Sequence, residues 1–235
     1  MAEAFERPGH RQVLNILRGL DRPFLKRCEI LFAGGTRIAL ELGEYRESKN
    51  IDFLCASQAG YRLLRESVSG GSLGPLARKP LTVAREVRAD QYGVRTWLST
   101  GKEKIKFEIV RGARIAIAGM DVPRIPVPCL DHAQAFAEKF LANADRGLDA
   151  ATLSRDAVDL AFMIEGWAKA DATAGYEIAC TAYGKEVGRK LAAVTSKLRT
   201  DRKYRNQCVE AMAIEDTKTL SRGLESLARY ATQAA

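Results

Sequence analysis

The sequence predicts an α+β fold in which a mixed β-sheet flanked by helices is followed by a C-terminal helical bundle. In the first half, short apolar or alternating segments typical of strands are interspersed with amphipathic helical segments. The second half is alanine-rich with helical periodicity. The proline-rich segment Val122–Pro128 separates the two compositions. We therefore expect an α/β domain over residues 1–125 and a helical domain over residues 126–235.

The first predicted elements are a helix and a strand–turn–helix unit. Apolar residues at helical spacing predict a helix over Arg11–Leu20. The short apolar run Glu29–Ala33 predicts a strand that leads into Gly34-Gly35, and a helix follows from Thr36. Glycines between a buried strand and a helix let phosphate oxygens approach backbone N–H groups. A tight turn that requires positive φ is the alternative interpretation.

The remaining elements follow from period and composition. A further helix is expected over Tyr61–Val68, and strands over Ile51–Ala56, Leu81–Ala84, Val94–Leu98 and Lys104–Val110. In the second half, helices are expected over Asp131–Asp145, Thr152–Trp167, Thr173–Leu198 and Arg205–Thr232. Their periodicity predicts a helical bundle.

Composition limits the classes of function. The 235 residues contain no apolar run of the roughly 20 residues that span a bilayer, and the N-terminal segment lacks an apolar signal core. We therefore expect a cytoplasmic protein that does not bind membranes. The five cysteines are scattered, which predicts buried thiols rather than disulfides or a zinc site. The net charge of +8 favours phosphate-bearing partners.

Two strands carry candidate metal ligands. Asn50 and Asp52 are two residues apart, so both project from one strand face, and oxygen ligands of this kind suit Mg²⁺. On the later strand, Glu108 points away from the apolar face with Lys106 and is free to act as a third ligand. A strand glutamate that pairs with the neighbouring lysine is the alternative.

The segment FAGGTRIALELGEYRESKNIDF resembles the signature of the AbiEii/AbiGii-type toxin nucleotidyltransferases, members of the polymerase-β-like superfamily. The family pattern is a Gly-Gly-Thr turn, a helix, Arg-x-Ser, and then Asp-x-Asp-Phe. Seven positions match it: Gly34, Gly35, Thr36, Arg46, Ser48, Asp52 and Phe53. The resemblance implies a nucleotidyltransferase-like sheet, with Gly34, Gly35, Thr36, Arg46 and Ser48 in the nucleotide site.

The resemblance extends into the helical half, to about Ile164. The pairs Glu138-Lys139 and Asp145-Arg146, and RDAVDL from Arg155, are similar to later motifs of the family. It implies that Lys139 meets nucleotide phosphates and that Asp156 and Asp159 support catalysis. The two aspartates are i and i+3, so they share one helix face. Purely structural alternatives exist for these residues. Lys139 could be a solvated helix lysine, and the two aspartates could belong to a surface charge cluster. Arg46 and Ser48 could brace a loop.

Asn50 departs from the family pattern, because it stands where the family usually has the first metal-binding Asp. An amide oxygen can ligate a metal, but it supplies no negative charge and cannot act as a base. Asp52 and Glu108 would then hold Mg²⁺ or Mn²⁺ almost alone. Two hypotheses follow: a metal-dependent nucleotidyltransferase with a weakened metal site, and a catalytically inactive protein that binds nucleotide or a protein partner.

The expected partners follow from the resemblance and from charge. The resemblance implies an NTP substrate and a toxin role paired with an antitoxin. An RNA acceptor such as tRNA would fit the basic segment between Lys185 and Arg205, although a solvated helix face is the alternative. Its eight cations are Lys185, Arg189, Lys190, Lys197, Arg199, Arg202, Lys203 and Arg205.

Overall fold

The computed structural model describes residues 5–68, 72–101, 103–112 and 114–232. These residues divide into two compact units. The first contains the described residues up to Glu44 and those from Ser48 to Leu130. The second contains the helices from Asp131 onward, together with Tyr45–Glu47 from the segment that precedes strand β2. The chain therefore belongs to the second unit for three residues before it returns to the first.

Nine elements of at least four residues form the described part of the first unit, together with two shorter strands. Its four helices are α1 (Pro8–Gly19), α2 (Arg22–Arg27), α3 (Gly34–Glu41) and α4 (Gln58–Ser67). Its longer strands are β1 (Ile30–Ala33), β2 (Ile51–Cys55), β3 (Thr82–Ala89), β4 (Gly93–Ser99) and β5 (Lys104–Arg111), with the two-residue strands β6 (Gly119–Met120) and β7 (Cys129–Leu130). The described part of the unit also contains a single 3₁₀ turn, Gly74–Leu76.

Within the described residues, the seven strands form one mixed sheet in the order β3-β4-β5-β2-β1-β7-β6. Strand β2 lies at its centre, antiparallel to β1 and parallel to β5. Its burial alternates: Ile51 and Phe53 are fully buried, and Asp52 between them is half-buried. This confirms the expected orientation of the strand, with apolar side chains in the core and Asp52 on the other face.

The core of the first unit lies where α1 and α4 contribute apolar side chains beside the buried face of the sheet. Val13 and Leu17 of α1 belong to one buried cluster with Phe32, Phe53 and Phe107. Fully burying an aromatic or leucine side chain contributes about 1.5–3 kcal/mol. The cluster therefore fixes the faces of β1, β2 and β5, and with them the direction in which Asp52 and Glu108 point.

The second unit contains six helices within the described residues. They are α5 (His132–Arg146), α6 (Arg155–Gly166), α7 (Lys169–Tyr183), α8 (Glu186–Thr200), α9 (Arg202–Ala211) and α10 (Thr217–Thr232). Helix α5 packs against α7, and α10 packs against α6 and α8. The expected helical bundle is confirmed, and so is the α+β class of the whole chain.

Two predicted helices were wrong in length. The segment expected as one helix over Thr173–Leu198 is broken at Gly184, which has φ of +62° and ends α7. The segment Arg205–Thr232 is also two helices, because Ala213 takes φ of +51°. The side chain of Asp216 then accepts a hydrogen bond from the N–H of Thr219 and caps α10.

The compositional expectations can be compared with the described residues directly. The five cysteines are free thiols, and four of them are buried, with Cys180 half-buried. None of the described helices combines the length and the apolar character that a bilayer crossing requires.

Candidate active site

Gly34 brings the start of helix α3 against Asp52. Gly34 has φ of +74°, a conformation that side chains other than glycine rarely adopt. A β-carbon at this position would also lie 3.0 Å from Oδ2 and 3.1 Å from Cβ of Asp52. The expected turn with positive φ is confirmed at Gly34, and its missing side chain lets the start of helix α3 approach Asp52 closely.

Asp52 lies between two strand neighbours that complete this part of the sheet. It pairs with Ala33 on antiparallel β1 and with Glu108 on parallel β5. Directly paired residues on neighbouring strands project from the same face. The sheet thus brings Asp52, Glu108 and the Gly34 turn together. Asn50 was expected on the same strand face as Asp52, but it lies just before β2 and is exposed.

Glu108 is held by two cations. Nε of Arg95 lies 2.6 Å from Oε1, and Nζ of Lys106 lies 2.6 Å from Oε2. Burial works to raise the pKa of Glu108, but the hydrogen bonds and charges of Lys106 and Arg95 outweigh it, so the pKa is lowered. The carboxylate is therefore ionised, and much of its charge is offset by neighbours. The expected pairing with Lys106 is present, and Arg95 is an additional partner.

The side chains of Thr36 and Ser48 form a hydrogen bond with each other. Their hydroxyl oxygens are 2.7 Å apart, and Thr36 is 1% exposed. The backbone N–H of Ser48 donates to Nε2 of His10 at 3.2 Å, and Nδ1 of His10 lies 2.8 Å from Glu44. These bonds tie the chain that enters β2 to helices α1 and α3. Ser48 therefore braces the loop before β2, as one of the two interpretations of the Arg-x-Ser motif predicted.

The contacts of His10 define its tautomer. Because the N–H of Ser48 donates to Nε2, that nitrogen carries no proton, and Nδ1 donates to the Glu44 carboxylate. Glu44 also accepts hydrogen bonds from the backbone N–H groups of Glu6 and Arg7. The structure buries His10 fully. No local spacing signals the contact, since His10 and Ser48 are 38 residues apart.

The second unit holds a buried ionic network around Asp159 and Asp156 of helix α6. Arg46 binds Asp159 with both forks of its guanidinium, at 2.6 and 3.0 Å. The Tyr45 hydroxyl donates to the same carboxylate at 2.5 Å. Nζ of Lys139 lies 2.6 Å from Asp159 and 2.8 Å from Asp156. The lysine thus bridges two carboxylates that are 0% and 1% exposed.

Arg146 completes this network at its solvent side. Its Nε lies 2.8 Å from Asp156, and its side chain is 44% exposed. Arg46, Lys139 and Arg146 contribute three positive charges against the two carboxylates, which leaves the network with a net charge of +1. Since an unpaired buried charge is costly, each member depends on the others. We call these five side chains, together with Tyr45, the α6 network.

The charges of the α6 network stabilise each other's ionised forms. Burial works to raise the pKa of Asp156, but attraction to Lys139 and hydrogen bonds from Arg146 outweigh it and hold the pKa well below its usual value. The pKa of Asp159 is lowered by Arg46 and Lys139 in the same way, against burial. Burial would lower the pKa of Lys139, yet the two aspartates raise it. All of these groups are charged at neutral pH.

The residues singled out from the sequence fall into two groups, one in each unit. Gly34, Gly35, Thr36, Ser48, Asn50, Asp52 and Glu108 belong to the first unit, and Arg46, Lys139, Asp156 and Asp159 belong to the α6 network of the second. Sequence reasoning missed the role of Tyr45, and it also missed that Arg46 binds Asp159. Tyr45 stacks on Phe162 with ring centroids 4.1 Å apart. An aromatic residue directly before the arginine was the available signal.

The oxygen donors of the first unit fit a weakly held divalent cation. Across the described ranges of the chain, no three His, Cys, Asp or Glu side chains cluster as a metal site would require. Asp52 and Glu108 are two carboxylates paired across strands, and the amide of Asn50 lies two residues before Asp52 in the sequence. Arg95 and Lys106 offset the charge of Glu108, so a cation at this position would be held weakly.

Several cations of the basic segment Lys185–Arg205 have partners inside the protein. Arg189 pairs with Glu186, and Lys197 lies 3.7 Å from the centre of the Tyr204 ring. Arg205 donates to the backbone carbonyls of Leu198 and Arg199 at the end of α8. These three side chains thus stabilise α8 and α9, and the exposed Arg199, Arg202 and Lys203 remain as candidates for RNA contact.

Three comparisons with known proteins bear on the family and the fold of the chain. The family model described as "Nucleotidyl transferase AbiEii toxin, Type IV TA system" matches residues 16–226. The crystal structure of JHP933 from Helicobacter pylori is similar, with a TM-score of 0.56 and 14% identity over 97% of this chain and 92% of that one. An antigenic nucleotidyltransferase-like protein from Paracoccidioides brasiliensis has a TM-score of 0.44 and 11% identity over 87% and 93% of the two chains. A search of curated proteins gave no match.

The Helicobacter pylori structure supports the fold alone, given its low sequence identity. The family model carries more, because it spans both units and includes the glycine turn, the Asp52 strand and the α6 network. The chain therefore belongs to the AbiEii family of nucleotidyltransferase toxins.

Proposed function

We propose that this protein transfers a nucleoside monophosphate from an NTP to an acceptor hydroxyl, with an RNA such as tRNA as the acceptor, and that it does so in the cytoplasm. The observation that carries the proposal is the approach of the Gly34 turn to Asp52, with Glu108 paired beside it. A helix N-terminus that lacks side chains and adjoins ionised carboxylates suits a phosphate chain and the cation that accompanies it.

In this proposal the first turn of helix α3 receives the phosphates. Gly34 and Gly35 leave its N–H groups accessible, and these groups have no acceptor within the helix. Thr36 and Ser48 are bonded to each other, so we assign them to holding the turn and the strand entry in place. The nucleotide would thus contact mainly backbone at this point.

We propose that Asp52, with Asn50 and Glu108, holds Mg²⁺ or Mn²⁺. A bound divalent cation would neutralise charge on the phosphates. In the reaction, the acceptor oxygen forms a bond to the α-phosphorus, and the bond from that phosphorus to the bridging oxygen breaks, so pyrophosphate leaves. The acceptor hydroxyl gives its proton to solvent water as this bond forms, and we assign the orientation of the hydroxyl to Asp52.

The second unit carries its own positive charge in the α6 network. Its net charge of +1 follows from three cations and two carboxylates, and we propose that Lys139 meets phosphate oxygens. Asp156 and Asp159 then act as positioning residues, since each lies within 2.8 Å of the Lys139 ammonium. Arg46 would act through Asp159, to which it is bound at both forks.

Membership of a toxin family suggests the biological role. We propose that the transfer reaction makes the protein toxic to its own cell and that an antitoxin encoded with it limits this effect. The family description, which places these toxins in Type IV toxin–antitoxin systems, supports the proposal.

The experiment that tests the proposed reaction is label transfer. Purified protein is incubated with each α-labelled NTP, with Mg²⁺ or Mn²⁺, and with total RNA. We expect label to appear in RNA, and we expect Asp52→Asn to reduce the initial rate by at least about 10²–10³-fold, because it removes the charge of the carboxylate that adjoins the Gly34 turn.

Glu86→Gln provides the matched control. Glu86 is an exposed carboxylate on β3 of the same unit, so its neutralisation should leave the rate unchanged. A wild-type protein that labels no RNA with any nucleotide or metal, or an Asp52→Asn variant as active as the wild type, would refute the proposed reaction.

A second candidate function is a catalytically inactive protein that binds nucleotide or a protein partner. Asn50 favours it, because this residue removes one carboxylate from the family pattern, and the ion pairs of Glu108 offset another. Such a protein would bind NTP but transfer no label, so the same incubation separates the two functions.

A further inference from the structure

A cavity of about 560 Å³ in the first unit is lined by three arginines. It lies beside the N-terminal half of helix α4 and the end of strand β5. Its described lining residues are Gln58, Ala59, Tyr61, Arg62, Arg65 and Arg111, none of which is acidic. We call it the arginine pocket. No site residue discussed above belongs to it.

The arginine pocket lies on the opposite face of the sheet from Asp52 and Glu108. Arg111 is three residues after Glu108 on β5, so strand alternation places it on the face that carries Ile109. Three residues of strand also separate the two positions by about 10 Å along the sheet. A ligand in the pocket would therefore be bound apart from the proposed catalytic carboxylates.

Two of the three arginines have charge available for a ligand. Arg62 and Arg65 are exposed on α4, one helical turn apart. Over the described stretches of the chain, neither forms an ion pair with a carboxylate. They share the pocket with the first residues of α4, Gln58 and Ala59, whose backbone N–H groups lie in the turn that has no acceptor within the helix. Guanidinium groups and helix N–H groups both favour phosphate oxygens.

Arg111 is held in place by its surroundings. Its guanidinium lies 5.6 Å from the centre of the Tyr61 ring, and it donates to the carbonyl of Gln91 at 3.3 Å. The Tyr61 hydroxyl in turn donates to the carbonyl of Asp90 at 2.5 Å. These contacts reduce the side-chain entropy that Arg111 would lose when it binds an anion.

The pocket is suited to phosphates rather than to bases or to a protein surface. Tyr61 is 3% exposed and is covered by Arg111, so its ring cannot stack on a base. A protein interface requires an apolar centre with aromatic anchors, and the lining offers only Ala59 as an exposed apolar residue. Three guanidinium groups without a carboxylate match a chain of phosphodiesters more closely than any other ligand class.

We propose that the arginine pocket binds the phosphodiester backbone of the RNA acceptor, at a distance from the nucleotide to be modified. The proposal rests on the proposed function for the choice of RNA. It adds a second contact region, so that an RNA longer than a few nucleotides reaches from the Asp52 face around the end of β2 and β5 to α4.

The test is RNA binding measured against salt. A fluorescein-labelled single-stranded RNA is titrated with wild type and with Arg62→Gln/Arg65→Gln/Arg111→Gln, and anisotropy gives the affinity at several KCl concentrations. Three lost phosphate contacts should make the slope of log K against log salt shallower by about 2, and at about 0.1 M salt they should weaken binding between tenfold and a hundredfold.

The matched control is Arg18→Gln/Arg78→Gln/Lys79→Gln. These three cations are exposed on the same unit and do not line the pocket, and either triple variant lowers the net charge from +8 to +5. Arg62→Lys/Arg65→Lys/Arg111→Lys should keep the salt slope while losing part of the affinity, since lysine keeps the charge without the fork. Circular dichroism confirms that each variant is folded.

The outcomes separate this proposal from the proposed function. A shallower slope in the arginine variant but not in the control supports the pocket even if the wild type transfers no label. An unchanged slope and affinity overturn it even if label transfer is active, as does an equal loss in the control variant, which would show that only net charge matters.

Discussion

Replacing Asp159 with asparagine should lower the free energy of unfolding of the second unit by about 3–5 kcal/mol. The carboxylate is fully buried and accepts hydrogen bonds from Arg46 and Tyr45, and it also pairs with Lys139. An asparagine of the same shape would leave Arg46 buried with a neutral partner and would turn an amide N–H₂ group toward cations. Removal of one buried charge therefore leaves others uncompensated.

Urea denaturation followed by tryptophan fluorescence measures this loss. The chain has two tryptophans, Trp97 on β4 and Trp167 in the second unit, so a Trp97→Phe background reports on the second unit alone. Glu177→Gln, an exposed carboxylate on α7, is the control and should change stability by less than about 0.5 kcal/mol. An Asp159→Asn variant as stable as this control would contradict the importance of the α6 network.

Substitution of alanine at Gly34 should reduce nucleotide transfer by about a hundredfold, whereas the same substitution at Gly43 should not. Gly34 and Gly43 have φ of +74° and +73°, so alanine costs a similar backbone strain of about 1 kcal/mol at both. Only at Gly34 would the new β-carbon meet Asp52, at 3.0 Å from Oδ2, while nothing lies within 4 Å at Gly43. A displacement of a reacting group by about 1 Å can cost 10²-fold in rate.

Thermal melting and label transfer of the two variants are compared side by side. Similar melting temperatures with a transfer defect confined to Gly34→Ala would support the close approach of turn and carboxylate. Equal rates in both variants would show that the space beside Asp52 is not needed for the reaction.

The fold was predictable where the sequence carries a local period or a conformational constraint. The strand that contains Asp52 and the glycine turn before α3 follow from apolar alternation and from positive φ. Strands β6 and β7 were missed, because two residues are too few to show a period. The break at Gly184 has a glycine signal, whereas Ala213 takes positive φ without one.

The sequence allowed individual candidate site residues to be named, but it did not show which of them contact one another. Nothing local indicates that Asp52 pairs with Glu108, since the strands that carry them are separated by α4, β3 and β4. Arg46 and Asp159 are 113 residues apart and meet only because Tyr45–Glu47 belongs to the second unit. Long-range contacts of this kind depend on packing, which a single sequence does not display.

We propose above all that Asp52 on β2, with Asn50 just before it, belongs to a working but weakened metal-dependent transferase site. The most direct measurement is the rate of label transfer to RNA as a function of Mg²⁺ concentration, for wild type and for Asn50→Asp. Asn50 is exposed at the start of β2, so the substitution adds a carboxylate without disturbing the core. Because an added ligand charge strengthens cation binding, we predict that Asn50→Asp reaches half-maximal rate at a Mg²⁺ concentration about tenfold lower. An Asn50→Asp variant with the same Mg²⁺ dependence as the wild type, or transfer by neither protein, would contradict the claim.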